Sequence, residues 1–295
     1  MQKIIVSIII VHYKDKKRLF NCITSIKKNK PKTSFELIII DNDETQTIKK
    51  ELQSEFGWVR YAKSSGNIGY GAGNNLGVRL AKGKYVFILN PDTEVLPSSI
   101  DKLTNYLEKN KQVGMAAPTL VNSKGKIISQ IGYGELTPLS GIIAFSFLNK
   151  KYPNNIVSRK YWQKDITRIK SSEVDVVPGS AFLMRKNLFN KIKGFDENIF
   201  LYFEENDLCK RMKEAGFVAY LVPDAQIIHY WKPGAPNTRK AKKIFAQSRF
   251  YYYKKHYGVC KALVVEIFLR FSKRVVLMLS IVVIGVILRM CKLGG

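Results

Sequence analysis

Two hydrophobic periods alternate along roughly the first 120 residues. Ile4–Val11 is a continuous β-branched run, and Lys16–Lys28 follows with Leu19, Cys22, Ile23 and Ile26 at helical spacing. Phe35–Ile40 is a second apolar run ending in Asp41-Asn42-Asp43. A helix is predicted over Thr45–Phe56, a short strand over Trp58–Ala62 and a helix over Ala72–Ala81. Lys84–Leu89 is another strand, stopping at Asn90-Pro91-Asp92, and Pro97–Glu108 another helix. Strands that are apolar throughout, interleaved with helices, predict an α/β fold with a mostly parallel sheet covered on both faces. Such sheets take ligands beyond the C-terminal ends of their strands, where residues 41–43 and 90–94 both fall.

The middle of the chain is less regular. Val113–Leu120 and Lys126–Gln130 predict strands around a turn at Asn122–Gly125, whereas residues 131–172 show no period and are expected to be a loop or insertion over the active face. Strands are predicted at Val174–Val177, Ser180–Arg185 and Val218–Val222, with a helix at Glu204–Ala215 that Gly216 stops. From Lys261 to Arg274 charged residues share one helical face. Val275–Leu288 is then uncharged and, as a helix, about 21 Å long against a hydrocarbon core of about 30 Å. A basic amphipathic helix followed by a short apolar one suits a membrane interface better than a span.

Composition sharpens this picture. Of the net charge of +26, half lies between Lys232 and Gly295, where Glu266 is the one acidic residue. Such a block suits an anionic membrane surface, a polyanionic substrate or nucleic acid. The last is disfavoured, because there is no zinc-finger spacing, no RNP-like strand and no helix-turn-helix pattern. The four cysteines are far apart and form no CxxC pair, which favours a reducing, cytosolic setting and argues against a cysteine zinc site.

Four segments carry candidate chemistry. Asn67-Ile-Gly-Tyr-Gly-Ala-Gly-Asn-Asn-Leu-Gly77 either lets backbone approach a ligand at a helix start or is a turn with a cap; its spacing is not the GxGxxG of dinucleotide binders. Asn90-Pro-Asp-Thr-Glu94 at a strand end either holds a divalent cation or opens the next helix. Glu204-Glu205-Asn206-Asp207 either complements a helix dipole or contains a general base. His229, before Tyr230-Trp231, is structural or, if it meets Asp92, a metal ligand.

In this order the segments resemble the family 2 glycosyltransferases with the GT-A fold, particularly a bacterial rhamnosyltransferase-like branch. The matching residues are Val6-Ser-Ile-Ile-Ile-Val-His-Tyr13, Ile39-Ile-Asp-Asn42, Asn67–Asn75, Phe87-Ile-Leu-Asn-Pro-Asp92, Pro178-Gly-Ser-Ala-Phe-Leu-Met-Arg185, Phe195-Asp196, Tyr202–Arg211 and His229. The resemblance spans roughly residues 4–258, implying a GT-A domain there and a membrane-associating helical tail at 259–295.

It also implies inverting transfer of a sugar, with rhamnose from dTDP-rhamnose the first expectation, to a hydroxyl of a lipid-linked or polysaccharide acceptor. The implied donor-binding residues are His12, Tyr13, Asp41, Asn42, Asn67, Gly69, Asn74 and Asn90. Asp92 and His229 are the implied holders of Mg²⁺ or Mn²⁺. Glu205 is the implied base, with Glu204 and Asp207 as alternatives, and Gly179, Ser180, Tyr202 and Trp231 are implied on the acceptor side. Three positions depart from the family pattern: Asn90 stands where Asp is usual, Glu205 where Asp is usual, and His12 where Asn is usual. The basic tail suits a cytoplasmic enzyme on the inner face of the membrane, at about 1 kcal/mol per basic residue near anionic lipid. A nucleotidyltransferase is disfavoured by the lack of a basic glycine loop at the first strand, and an oxidoreductase by the missing GxGxxG.

Overall fold

A computed structural model describes residues 3–45, 47–128, 133–163, 169–230 and 238–270. The elements run β1 (Val6–His12), α1 (Lys16–Lys28), β2 (Phe35–Asp41), α2 (Lys49–Glu55), β3 (Arg60–Lys63), α3 (Tyr70–Leu80), β4 (Tyr85–Leu89), β5 (Thr93–Val95), α4 (Ser99–Lys109) and β6 (Val113–Val121). Then follow α5 (Pro138–Phe145), α6 (Phe147–Lys151), α7 (Ile156–Tyr161), β7 (Ser172–Val174), β8 (Ala181–Arg185), α8 (Lys186–Lys191), α9 (Glu204–Glu214), β9 (Val218–His229) and α10 (Arg239–Tyr257). Residues 259–270 are also helical.

The chain forms two compact units, one of Met1–Glu135 with Asp165–Ser248, the other of Leu136–Lys164 with Arg249–Gly295. The first is built on one sheet in the order β3-β2-β1-β4-β8-β6-β9-β5, with β7 also on β9. Strands β1 to β4 are mutually parallel, as the near-continuous burial of β1, β2 and β4 predicts, and β3 at the sheet edge is only half-buried. Beyond them the sheet is mixed: β8 runs antiparallel to both β4 and β6, and β5 and β7 run antiparallel to β9. Stepping from β1 to β2 moves one way along the sheet and from β3 to β4 the other. Right-handed crossovers therefore put α1 and α3 on opposite faces. The reversal opens a crevice at the C-terminal ends of β1 and β4, at His12 and Asn90.

Local chemistry explains where elements differ from the sequence pattern. Helix α2 is shorter than predicted, because the Asp43 carboxylate accepts from the Thr45 N–H at 2.9 Å and its hydroxyl at 2.7 Å, turning the chain first. The two short apolar runs ending at Val222 and starting at Ala225 are one strand, β9. Its pairing with β6 jumps from Pro118↔Val222 to Thr119↔Gln226, so Pro223 to Ala225 bulge out where proline offers no N–H. The aperiodic stretch after residue 135 contains three helices, each too short to show a period. Thr137, Ser146 and Asn155 cap them through bonds to Ser140 N, Leu148 N and Ser158 N. In the same unit Arg249 pairs with both Glu266 oxygens, at 2.6 and 2.7 Å. The run Val275–Leu288 lies outside the described residues.

The glycines of α3 set how closely it lies on the sheet. A Cβ on Gly73 would stand 2.9 Å from Val11 Cγ1, and one on Gly77 would overlap Ile9 Cγ2. Gly77→Ala is expected to cost about 1–3 kcal/mol by forcing α3 off β1. Thermal unfolding is the check: a melting temperature within a degree of wild type would show that the packing yields without cost.

Candidate active site

Asp92 and His229 are far apart in sequence and adjacent in space. The β5–β9 ladder pairs Thr93 with His229, and Tyr230 N donates to Asp92 O at 2.9 Å. This register brings His229 Nε2 to 3.4 Å from Asp92 Oδ1. The other carboxylate oxygen, Oδ2, faces Arg18 Nη1 at 3.5 Å. Burial alone would raise the Asp92 carboxyl; the His229 contact and the Arg18 charge outweigh it and hold it below the ordinary range. Among the described residues no group of three or more His, Cys, Asp or Glu side chains is arranged to hold a metal ion by itself. A divalent cation here would use the Asp92 carboxylate, the His229 imidazole and substrate phosphate oxygens, a donor set such ions accept.

The strand ends beside Asp92 carry the other expected donor residues. Asn42 Nδ2 donates to Gly69 O at 2.9 Å and Asn74 Nδ2 to Tyr70 O at 3.0 Å. Gly69, at φ +91°, packs so tightly that a Cβ would stand 2.6 Å from Phe200 O. Asn67 Oδ1 accepts from Gly69 N at 3.3 Å. Four buried side-chain atoms here, His12 Nδ1, Asn42 Oδ1, Asn74 Oδ1 and Asn90 Oδ1, find no hydrogen-bond partner among the described residues. Such orphans are costly and call for a ligand or water. Burial holds the His12 imidazole below its ordinary pKa despite nearby Asp41 and Asp43. Asp41 differs: it is fully buried, with Tyr61 Oη at 2.8 Å and Lys63 Nζ at 3.1 Å on Oδ2, and Asp43 N on Oδ1. Tyr13 is exposed and donates to Glu44 Oε1 at 3.3 Å.

The carboxylates of α9 sit in a strained, enclosed turn. Tyr202 and Phe203 both have left-handed backbones, at φ +70° and +69°. Each such residue costs on the order of 1–3 kcal/mol, and the packing of both rings on Phe245 offsets it. Glu204 is buried, its Oε2 without a hydrogen-bond partner among the described residues. Glu205 is half-buried against Gly179, where an added Cβ would lie 3.7 Å from Glu205 Oε2. Burial pushes the Glu205 carboxyl up to about 7, and burial together with the Glu205 charge raises Glu204 well above the usual range. Asp207 is bound by Arg211 at 2.6 and 2.8 Å, and that guanidinium also donates to the carbonyls of Ile192 and Gly194. This ties Asp207 into a structural knot.

Sequence reasoning missed two residues. Tyr70 Oη donates to Gly179 O at 2.6 Å, and burial first, then the Glu204, Glu205 and Asp92 charges, raise its pKa. Tyr70 thus stands within electrostatic range of both halves of the site. Arg18 is the other; its helical position relative to Asp15 was legible, its meeting with Asp92 was not. On the expected acceptor side, Gly179 borders Glu205, Ser180 O accepts from Asn90 N at 2.8 Å, and Tyr202 is half-buried. Trp231 lies outside the described residues.

A sheet of this topology with carboxylates at its strand ends is the frame of a GT-A transferase. The chain belongs to glycosyl transferase family 2, whose model matches residues 7–193. It is 27% identical over 210 residues to an N-acetylglucosaminyl-diphospho-decaprenol L-rhamnosyltransferase of Mycobacterium tuberculosis, covering 66% of each chain, just under two thirds of that relative's length. It is 28% identical over 203 residues to the rhamnosyltransferase WbbL of Escherichia coli, covering 66% of this chain and 73% of that one. In fold it matches a structure of GalNAc-T7 with UDP, GalNAc and Mn²⁺, at a TM-score of 0.58 and 15% identity, over 86% of this chain and 51% of that chain.

The raised Glu204 pKa has a stability consequence. The folded chain holds this proton at pH values where the unfolded chain has lost it, so stability is complete below the ordinary carboxylate range and falls as pH rises. Glu204→Gln removes that loss. Its melting temperature relative to wild type is expected to be higher at pH 8 than at pH 5 by about 3 °C or more. A pH-independent difference would show that Glu204 is ionised in the fold.

Proposed function

We propose that the chain transfers rhamnose, with inversion, from dTDP-rhamnose to a hydroxyl of a lipid-linked or polysaccharide acceptor in bacterial cell-surface glycan synthesis. The names of the two rhamnosyltransferase relatives support the sugar. The observation that carries the chemistry is geometric: His229 Nε2 lies 3.4 Å from Asp92 Oδ1 at one strand end, and Glu205 borders Gly179, whose carbonyl accepts from Tyr70 Oη at 2.6 Å. The acceptor hydroxyl attacks the anomeric carbon, the bond from that carbon to the diphosphate oxygen breaks, and Glu205 takes the hydroxyl proton. A base with a pKa near neutrality suits that task. Burial and the Glu205 charge, which raise the neighbouring Glu204 carboxyl, disfavour a second negative charge beside it.

Asp92 and His229 would hold a divalent cation, which when bound neutralises charge developing on the leaving diphosphate. The imidazole favours Mn²⁺ over Mg²⁺. The orphaned atoms of His12, Asn42, Asn74 and Asn90 suit a polar nucleotide donor. Asp41, bound to Tyr61 and Lys63, would reach a base only by exchanging one of them.

Peripheral attachment to the inner face of the membrane completes the reading. In helix 259–270, Val259, Leu263, Val264 and Ile267 are each about half exposed (47–59%), beside Lys261 and Arg270. Among the described residues no helix is long and apolar enough to cross a membrane.

With dTDP-rhamnose and a diphospholipid-linked acceptor, wild-type kcat/KM is expected to rise with pH through about 7 as Glu205 ionises. Glu205→Gln should lose about 10²–10⁴-fold in kcat with donor binding intact; retained turnover would remove Glu205 from the role. Asp92→Asn should abolish the Mn²⁺ dependence of dTDP binding measured by calorimetry, and an unchanged Mn²⁺ response would refute the metal assignment.

A further inference from the structure

The face of α1 that looks at the metal-binding segment is fixed along its whole length. Cys22 Sγ lies 3.8 Å from Asn90 O and 3.6 Å from Thr93 Oγ1. One turn on, Ser25 Oγ accepts from Val95 N at 2.9 Å, and at the helix end Asn29 Nδ2 donates to Val95 O at 2.8 Å. Residues 18, 22, 25 and 29 lie on one stripe, so the polar contacts of Cys22, Ser25 and Asn29 set the register in which Arg18 meets Asp92. The guanidinium is anchored from behind as well: Asp15, the N-cap of α1, takes Arg18 N at 3.1 Å and Arg18 Nε at 3.2 Å. Its Nη1 is left toward Asp92 Oδ2 at 3.5 Å, longer than a strong charged hydrogen bond. The side chain remains about one third exposed.

This arrangement coincides with the Asn90 departure. A site with Asn at 90 has one carboxylate fewer to attract a cation, and it holds a guanidinium on the carboxylate that remains. Both features weaken the site's hold on a divalent ion, Asn90 by removing a negative charge and Arg18 by adding a positive one beside Asp92. A guanidinium, permanently charged and forked, recognises phosphate oxygens directly.

We infer that Arg18 binds the donor diphosphate at this site and competes with the divalent cation for Asp92, so that a diphosphate binds here without metal and the cation strengthens that binding. The inference rests on the sugar-transfer reading and adds to it a residue and a division of labour. Arg18 supplies part of the neutralising charge, and the cation is an addition to it rather than the sole source.

The test uses the full chain with three probes: inorganic pyrophosphate in EDTA, Mn²⁺ alone, and UDP or dTDP with Mn²⁺. By calorimetry, wild type is expected to bind pyrophosphate in EDTA. Arg18→Gln should weaken that binding about tenfold or more, while binding Mn²⁺ more tightly than wild type, because a positive charge beside Asp92 has gone. Arg18→Lys, which keeps the charge but not the fork, should fall between the two for pyrophosphate. Opposite movement of the two affinities is the discriminating result, since a merely structural role for Arg18 would lower both. If both affinities fall, if neither changes, or if wild type binds pyrophosphate only with Mn²⁺, the inference is overturned. Failure of wild type to bind pyrophosphate, UDP or dTDP even with Mn²⁺ would instead sink the underlying reading of the site.

Discussion

A three-residue antiparallel ladder, Thr93–Val95 against Ile227–His229, is the constraint on which the site depends. It joins an element from the first third of the chain to the last strand of the sheet, and it alone puts an imidazole against Asp92. So short a ladder is weak by itself, and it is held from both sides. On one side, α1 binds the β5 backbone through Ser25 and Asn29. On the other, Ser99 at the start of α4 exchanges hydrogen bonds with Gln226 of β9, donating to its carbonyl at 2.6 Å and accepting from its N–H at 3.2 Å. The Asp92–His229 pair is thus set by backbone register, which shifts only by a whole residue and would then turn His229 to the other face.

The opposite half of the site is built on strain instead of register. Two left-handed residues deliver α9 so that its first turn presents adjacent glutamates into a space closed by Gly179 and Tyr70. Enclosure gives Glu205 proton affinity near neutrality, and it also leaves Glu204 with an unsatisfied oxygen. Both are costs to stability at neutral pH. The Asp207–Arg211 knot and the dense glycine-mediated contact of α3 with β1 are where the same unit recovers stability.

Much of this was legible in the sequence because the signals are local. Unbroken runs such as Val6–His12 could only be strands covered on both faces, and the Leu19-Cys22-Ile23-Ile26 stripe could only be a helix. The acid-bearing strand end marked Asp92 as a candidate and the acidic first turn marked Glu204, Glu205 and Asp207, while the choice among those three came from the family resemblance. Less legible were features set by competition between neighbours. The Asp43 turn trims α2, the Pro223 bulge divides β9 into two apparent strands, and the short helices after residue 135 are carried by caps rather than by period.

By itself, then, the sequence determined which residues are buried, which elements form and which side chains can do acid–base or phosphate chemistry, since each follows from a residue and its near neighbours. Tertiary structure alone decided that the sheet turns antiparallel at β8, that Asp41 is occupied by Tyr61 and Lys63, and that Arg18 rather than a second carboxylate stands beside Asp92. Those outcomes depend on strand order and on the register of one element against another, and contacts between residues dozens of positions apart leave no periodicity in a single chain.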